Sequence, residues 1–439
     1  MKIPPYPTDR PTRKLLPHQR PILRYMMSTN TPALFIDMRL GKTILTIEYA
    51  IRKGLKRVLV LAPKSAFNSW ERELAVEHIN SYVVKGSKSK KVLAGINEAA
   101  WVITNPQKLA TWPFARKKWD MIVVDESSRI KNARSKYFKE LMRQFSPTKH
   151  KLLLSGTPTP ESVLEAVPQL LFLHGEVLGC KSYWEFIARY TLKYGYDRLL
   201  YKSAKEKLIE LLHRTCYFLS QKRAGVAQKC RRIKILIPKN EQQKRLYKQL
   251  KEDFELDVRG KHYETDYILT TLLWACRIAG GLLDGELLSD KKFTALFNTL
   301  QRTPGKVVVW FRFNEELHYV HEKLSSSGIK CAAYYGDVSV EDRKKIENDF
   351  QKGEYKAILL QVKTGLYALD LSAADTAVYY SNSWSLEERI QSEKRISHPK
   401  KKTTLTYIDL LTKGWPDTTI YNALKRKNIS AKLIWEERE

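Results

Sequence analysis

The sequence predicts an α/β protein made of two similar lobes, each a parallel sheet flanked by helices, and three observations carry that expectation. Short β-rich apolar runs recur through the first half at 33–36, 58–62, 101–104, 121–124 and 152–154, separated by segments of helical patterning. The scheme repeats in the second half at 307–311, 331–335, 357–361, 377–380 and 404–408. Between the two sets, from about 161 to 301, strand signals thin out and helical stretches rich in Leu, Lys, Tyr and Trp take over. Continuous apolar runs of this length suit strands covered on both faces, as in parallel sheets.

The first lobe is therefore expected over 1–225, with a helical insertion at about 161–225, and the second over 226–439, with a helical lead-in at about 240–300. The boundary is read near 220–240, where Gln221-Lys222-Arg223-Ala224-Gly225 and Lys229-Cys230-Arg231-Arg232 form a basic, poorly periodic stretch. At 439 residues and 43% hydrophobic content, each lobe can bury a core of its own.

Charge narrows the partner. With 77 Lys and Arg against 47 Asp and Glu, the net charge of +30 points to a polyanion, most often nucleic acid. A membrane surface is the rival, but no basic amphipathic helix or lipidation signal accompanies the charge. Every apolar stretch is far shorter than the ~20 residues that span a bilayer. Met1-Lys2-Ile3-Pro4-Pro5 lacks the apolar core of a signal peptide, so a cytosolic protein is expected. The five cysteines are odd in number and scattered, without zinc-ligand spacing, which suits reduced structural thiols.

Taken in chain order, the first chemical segment follows the run at 33–36: Asp37-Met38-Arg39-Leu40-Gly41-Lys42-Thr43 leads into Ile44-Leu45-Thr46 as strand, loop and helix start. A helix N-terminus offers amides and a positive dipole end to phosphate. Lys42 would bind the β- and γ-phosphates and the Thr43 hydroxyl magnesium. The strict phosphate-loop pattern fails at its first glycine, where Ile36 stands, and a bare Gly-Lys-Thr also arises by chance. Upstream, the Gln19 amide in Leu15-Leu16-Pro17-His18-Gln19 matches the donor and acceptor edge of adenine, or else sits at the surface.

Asp125 and Glu126 sit where an apolar strand runs out, the usual place for ligands in an open parallel sheet. Asp125 would hold magnesium, and Glu126 would orient and deprotonate water. The bland alternative is a solvated acidic pair. Ser155-Gly156-Thr157-Pro158 again follows a strand and reads either as a coupling element or as a plain turn. In the helical region, Tyr183-Trp184, Tyr190, Tyr194, Tyr196 and Tyr201 interleave with Lys181, Arg189, Lys193, Arg198 and Lys202. That suits nucleic acid, and it equally suits an aromatic core with a basic rim. Lys400-Lys401-Lys402 reads as a solvated turn or a phosphate contact.

The ordered set resembles the superfamily-two helicases, specifically the Swi/Snf-type branch of DNA-dependent ATPases, over nearly the whole chain. Besides the segments above, it includes Leu61-Ala62-Pro63-Lys64-Ser65 with Asn68 and Trp70, Thr104-Asn105, and Asp125-Glu126-Ser127-Ser128-Arg129-Ile130-Lys131-Asn132. It continues through Tyr335-Gly336-Asp337 with Arg343, Ala373-Ala374-Asp375, Trp384, and Gln391 with Arg395. Ser127-Ser128 in place of a small residue plus His, and the compact length, look most like versions encoded by bacteriophages and bacteria.

The resemblance implies two tandem RecA-like lobes, ATP and Mg2+ as cofactors, and ATP-binding residues Gln19, Arg39, Leu40, Gly41, Lys42, Thr43 and Ile44. It implies catalysis by Lys42, Asp125 and Glu126, completed by Gln391 and Arg395 from the second lobe, with Thr43 and Asp125 toward the metal. A DNA path over Pro63, Lys64, Ser65, Thr104, Asn105, Arg312, Gln361, Thr364, Gly365 and Trp384 follows, although core packing is an equal reading for Trp384. Such contacts position DNA without reading sequence. Two departures stand out: His398 where the family carries a second arginine, and Ala368 where it carries a glycine.

The function expected is an ATP-dependent DNA helicase or translocase on forked or branched DNA in replication, recombination or repair. It is expected to work as a monomer in the cytoplasm of a bacterial or phage-infected cell, alongside phage or host replication and recombination proteins. The alternatives are a duplex translocase without strand separation, since no wedge is recognisable, and a catalytically weak DNA-binding scaffold, supported by His398 and Ala368.

Overall fold

The computed structural model describes residues 15–86, 88–112, 114, 117–194, 197–252, 255–258, 261–264, 268–365, 369–398 and 401–436. The chain divides into two units, Met1–Ala227 with Ser430–Glu439, and Gln228–Ile429.

The first unit is built on strands β1 (Ala33–Ile36), β2 (Val58–Leu61), β3 (Ser81–Val83), β4 (Trp101–Thr104), β5 (Met121–Asp125) and β6 (His150–Ser155). A hairpin of β7 (Thr191–Tyr194) and β8 (Asp197–Leu200) follows, and β9 (Tyr217–Leu219) returns to the sheet. The seven-stranded order is β3-β4-β2-β5-β6-β1-β9, with every pairing parallel. Both faces are dry: Ala33 and Phe35 point into one core cluster while Leu34 and Ile36 point into another. This is why these strands read as unbroken apolar runs instead of alternating ones.

In the second unit the strands are β10 (Cys230–Ile237), two short hairpins β11 (Glu255–Val258) with β12 (Lys261–Glu264) and β13 (Leu282–Leu283) with β14 (Glu286–Leu287), then β15 (Val307–Phe311), β16 (Cys331–Tyr334), β17 (Ala357–Gln361), β18 (Thr376–Tyr379) and β19 (Leu405–Thr412). Six of them pair in parallel in the order β10-β19-β18-β15-β17-β16. Val308 and Trp310 face one core cluster, and Val307, Val309 and Phe311 face the other. Two tandem RecA-like lobes are the result.

Three features differ from the expectation. The basic stretch at 229–232 opens β10, an edge strand whose outer residues are solvated, so only Ile233, Ile235 and Ile237 turn inward and the apolar signal is diluted by Arg231, Arg232 and Lys234. The stretch at 161–225 is not all helix. It holds the helices Ala166–His174, Tyr183–Tyr190 and Lys202–Thr215, the β7–β8 hairpin and β9. The short strand β3 carried no run long enough to register. Ala368, Tyr196 and Lys400 lie outside the described residues.

Candidate functional site

The C-terminal end of β1 delivers a short loop, 37–41, into the helix Lys42–Arg52. Ile36 ends the strand fully buried, so the residue replacing the first phosphate-loop glycine lies outside the loop that must bend. Bending happens later, at Arg39 with φ 65° and Gly41 with φ 90°. The φ of Gly41 favours glycine, and a Cβ there would also lie 2.2 Å from Gln19 Nε2 and push that side chain away from the loop. No side chain caps this helix, so its first-turn amides keep the arrangement suited to an anion.

Two glutamines hold the loop. Gln19 Nε2 donates to the Leu40 carbonyl at 3.2 Å while its Oε1 accepts from the Leu16 amide at 3.0 Å. Gln19 is thus buried, not a surface residue, and an amide with two N–H groups and two lone pairs retains one of each for an adenine edge. Gln221 Nε2 donates to the Met38 carbonyl at 3.1 Å, and its own amide donates to Asp37 Oδ2 at 2.8 Å. Lys42 Nζ donates to the carbonyls of Ile36 at 3.0 Å and Asp37 at 3.4 Å, folding the ammonium over the loop. Arg39 is exposed, Leu40 is buried, and Thr43 and Ile44 are half-buried in the first turn.

Asp125 ends β5 almost wholly buried. Its Oδ2 accepts from the Trp70 indole at 2.9 Å and its Oδ1 from the Glu126 amide at 3.0 Å. Burial pushes its carboxyl above the ordinary carboxylate range, opposed by the Trp70 bond and by the charge of Lys42. Glu126 takes φ 53°, ψ 62°, so the chain turns left-handed directly after the strand. Arg39 and Glu126 are two of five non-glycine residues with positive φ among the described residues, and both fall at this site, where such conformations concentrate.

Ser155-Gly156-Thr157 lies alongside the loop: a Cβ at Gly156 would stand 3.7 Å from Met38 and 3.8 Å from the Ile36 carbonyl. Ser155 Oγ accepts from the Thr157 amide at 3.0 Å. A residue that sequence reasoning missed joins this segment to the acidic one. Gln169 is fully buried; its Oε1 accepts from Ser127 Oγ at 2.7 Å, and its Nε2 donates to the carbonyls of Pro158 at 2.7 Å and Glu165 at 3.0 Å. The available signal was one amide in the otherwise apolar helix Ala166–His174, since a buried polar group demands partners.

The residues expected on the DNA path divide by exposure. Lys64 is exposed and Ser65 half-exposed, but Pro63, Thr104 and Asn105 are buried. Thr104 is interior because it ends β4 against β2, and Asn105 Oδ1 is committed to the Gln107 amide at 2.9 Å. Lys108 donates to the Gly86 carbonyl and sits 4.7 Å from the Trp112 ring, and burial, with the nearby charge of Lys64, lowers its ammonium from the ordinary lysine range.

In the second unit Arg312 donates to Cys276 Sγ at 3.2 Å. Gln361 Oε1 accepts from both the amide and the hydroxyl of Thr364 at 2.9 Å. Gly365 is buried, and a Cβ there would meet Trp310 at 2.7 Å. Trp384 is half-buried and its carbonyl accepts from Lys427 at 2.9 Å. Gln391 and Arg395 stand four residues apart on the helix Leu386–Ile396 and so share a face. Gln391 Nε2 donates to Glu387 at 3.3 Å, and the Arg395 charge acts on Glu347. The His398 amide donates to Gln228 at 3.0 Å.

The polar set of the first unit was tested for its fit to nucleotide and metal. Among the described residues no three His, Cys, Asp or Glu side chains cluster as a metal cage. One carboxylate, Asp125, within reach of the Lys42 charge, together with the Thr43 hydroxyl in the first turn of the same helix as Lys42, is a donor set that fits Mg2+ held jointly with phosphate and water. The desolvated state of Asp125 favours a nearby cation, and the uncapped helix favours phosphate. The residues fit the group.

The SNF2-related domain model matches residues 18–276, and the helicase conserved C-terminal domain model matches residues 291–399. The chain is 22% identical to the CHD3-type chromatin-remodeling factor CHR7 of Arabidopsis thaliana, covering 94% of this chain and 36% of that one. It is 24% identical to the DNA repair and recombination protein RDH54 of Saccharomyces cerevisiae, covering 91% of this chain and 50% of that one. It thus spans about a third to a half of the length of these relatives. The Hef helicase domain of Pyrococcus furiosus shares the fold, with TM-score 0.56 and 16% identity over 93% of this chain and 97% of that one. With more than half its length matched by one family model and most of the remainder by a second, the chain belongs to the SNF2-related family of superfamily-two DNA-dependent ATPases.

Proposed function

We propose that the chain is a DNA motor that hydrolyses ATP to move along DNA and to unwind or branch-migrate forked or branched substrates in recombination, repair or replication. The observation that carries it is the convergence of Lys42, Asp125 and the Ser155-Gly156-Thr157 turn on one loop at the end of a parallel sheet. In this reading the 37–41 loop and Lys42 hold the phosphates, Thr43 and Asp125 hold Mg2+, Glu126 orients and deprotonates the attacking water, and Gln19 receives adenine. When bound, Mg2+ neutralises charge on the phosphate oxygens. Gln391 and Arg395 supply a polar group and a cation from the second lobe. An arginine that arrives only on lobe closure would couple hydrolysis to movement.

The net charge of +30 and the exposed Lys64 support a sequence-independent hold on the DNA backbone. The likeness to RDH54, a DNA repair and recombination protein, supports repair or recombination. The likeness to CHR7, a chromatin-remodeling factor, supports the second reading, a remodeller that translocates on duplex DNA without strand separation. Ser127-Ser128 supports a place among compact bacterial or phage versions, hence a cytoplasmic monomer. No helix among the described residues is long and apolar enough to cross a membrane.

The test is ATP hydrolysis without nucleic acid and with single-stranded, duplex, forked and four-way DNA, with Lys42→Ala as control. Stimulation by forked or four-way DNA that the variant loses supports the motor. No hydrolysis above the variant on any substrate leaves a DNA-binding scaffold.

A further inference from the structure

The β7–β8 hairpin inverts the usual pattern of a half-buried ribbon. Its register pairs Thr191 with Leu200, Leu192 with Leu199 and Lys193 with Arg198. Directly opposed residues share a face, and successive pairs alternate. Thr191 is buried, Leu200 packs against the core, and Arg198 Nη1 reaches Thr191 Oγ1 at 3.5 Å, so this set faces the body of the unit. Leu192 and Leu199 are left on the solvent face, 55% and 54% exposed. Trp184 precedes them at 50% exposure with the Arg134 guanidinium 5.0 Å from its ring, and Tyr201 follows at 41%. Four of the eleven large exposed apolar side chains among the described residues thus fall within 184–201, which marks a local feature and not background.

Charge identifies the occupant. Residues 181–207 hold seven Lys and Arg against three Asp and Glu. One of the three acids, Glu185, is already paired with Arg189 at 3.0 Å. Lys202 and Lys205, which follow the hairpin, are exposed, as are Lys193 and Arg198 on the ribbon's other face. A duplex presents phosphates to such a surface but hides its base faces. Unpaired DNA presents both, with bases to stack on aromatic rings or to pack against wedge-like leucines. We infer that the solvent face of the β7–β8 hairpin, with Trp184 and Tyr201, holds unpaired bases where single-stranded DNA meets duplex. The inference rests on the DNA-motor reading and gives it a strand-holding element.

The experiment measures, on the full chain, affinities for an oligothymidylate and for a blunt duplex by fluorescence anisotropy. It compares wild type with the double variant Leu192→Ser, Leu199→Ser. The ratio of oligothymidylate to duplex affinity is expected to fall about tenfold, from the loss of one or two base contacts. An unchanged ratio overturns the inference, and so does a variant that loses self-association while keeping that ratio, which would assign the face to protein. Trp184→Phe serves as a second variant that preserves packing. Oligothymidylate should quench wild-type tryptophan emission more than that of this variant, and equal quenching also overturns the inference. Wild type that binds neither DNA fails the motor reading itself, a separate result.

Discussion

Asp125 in the first lobe and the Asp409–Glu393 pair in the second are carboxylates largely withdrawn from water, and the two lobes partner them differently. Asp409 is buried against Arg389, whose Nη2 reaches Oδ2 at 2.9 Å, and accepts from Asn382 at 3.0 Å. Glu393 receives Arg389 Nε at 2.8 Å and both Arg232 Nη atoms at 2.6 Å. Burial alone would raise the Glu393 carboxyl, but Arg232 and Arg389 hold it at about 2. Asp125 receives an indole and a backbone amide, and its carboxyl stays raised. A carboxylate saturated by guanidinium groups is structural. One held by neutral donors beside a lysine already committed to carbonyls suits a cation brought by a ligand.

The largest effects should fall on the first lobe and appear in rate. Glu126→Gln should lower DNA-stimulated hydrolysis ~10³-fold, mid-range for loss of general-base chemistry, and Lys42→Ala roughly 10²–10³-fold, as for loss of one donor to the transition-state charge, each with DNA affinity within about threefold. Loss of DNA binding in both would mean that track and nucleotide site are one structure. Arg395→Ala should cost roughly 10³ in kcat, as for other arginine fingers, and His398→Ala far less. Equal losses would make His398 a working cation.

Stability should respond in the opposite lobe. Arg389→Met leaves buried Asp409 without a cation and strips Glu393 of one of its two guanidinium partners, and should cost about 3–5 kcal/mol in urea unfolding. Asp125→Asn offers one acceptor to two donors, the Trp70 indole and the Glu126 amide, and should cost about 1–3 kcal/mol, less than the loss of a charged partner. Similar costs for the two would break the comparison. Acid unfolding sharpens it. A folded value of about 2 for Glu393, against 4.5 ordinarily, means that its contribution is fully present above pH 4.5 and lost as pH falls toward 2. Glu393→Gln should flatten that limb. Asp125 carries the opposite sign, since a raised carboxyl favours the folded state more as it protonates.

Much of this was legible in the sequence, for identifiable reasons. Strands covered on both faces leave unbroken apolar runs, so β1, β4, β15 and β17 fall where the pattern puts them. Lys42, Asp125 and Glu126 are legible because phosphate and metal chemistry restricts both residue type and position at strand ends. Edge strands such as β10 are hidden, since solvent on the outer side dilutes the pattern with charge. The same holds for second-layer amides: Gln169 and Gln221 act through partners 42 and 184 residues away in sequence, which no local pattern encodes. The burial of Thr104 and Gly365 was not legible, because motif position fixes the strand end but not the packing above it.

Gln169 sets the smallest prediction and the finest test of the contrast between lobes. Where the second lobe fastens its elements with ions, the first joins its acidic and Ser-Gly-Thr-Pro segments through this one neutral amide. Gln169→Leu keeps the volume but strands Ser127 Oγ and the Pro158 carbonyl, which should cost about 1–3 kcal/mol of stability. If the amide also positions the segments for catalysis, kcat should fall about tenfold with KM for ATP little changed, the signature of an interaction made in the transition state. Ser127→Ala removes the same link from its other end, so the double variant should lose less than the sum by at least about 0.5 kcal/mol in activation free energy. Additive losses in kcat, or a stability loss with kcat intact, would reduce Gln169 to a packing residue, and the coupling between the two segments would then have to run through the loop at 37–41 instead.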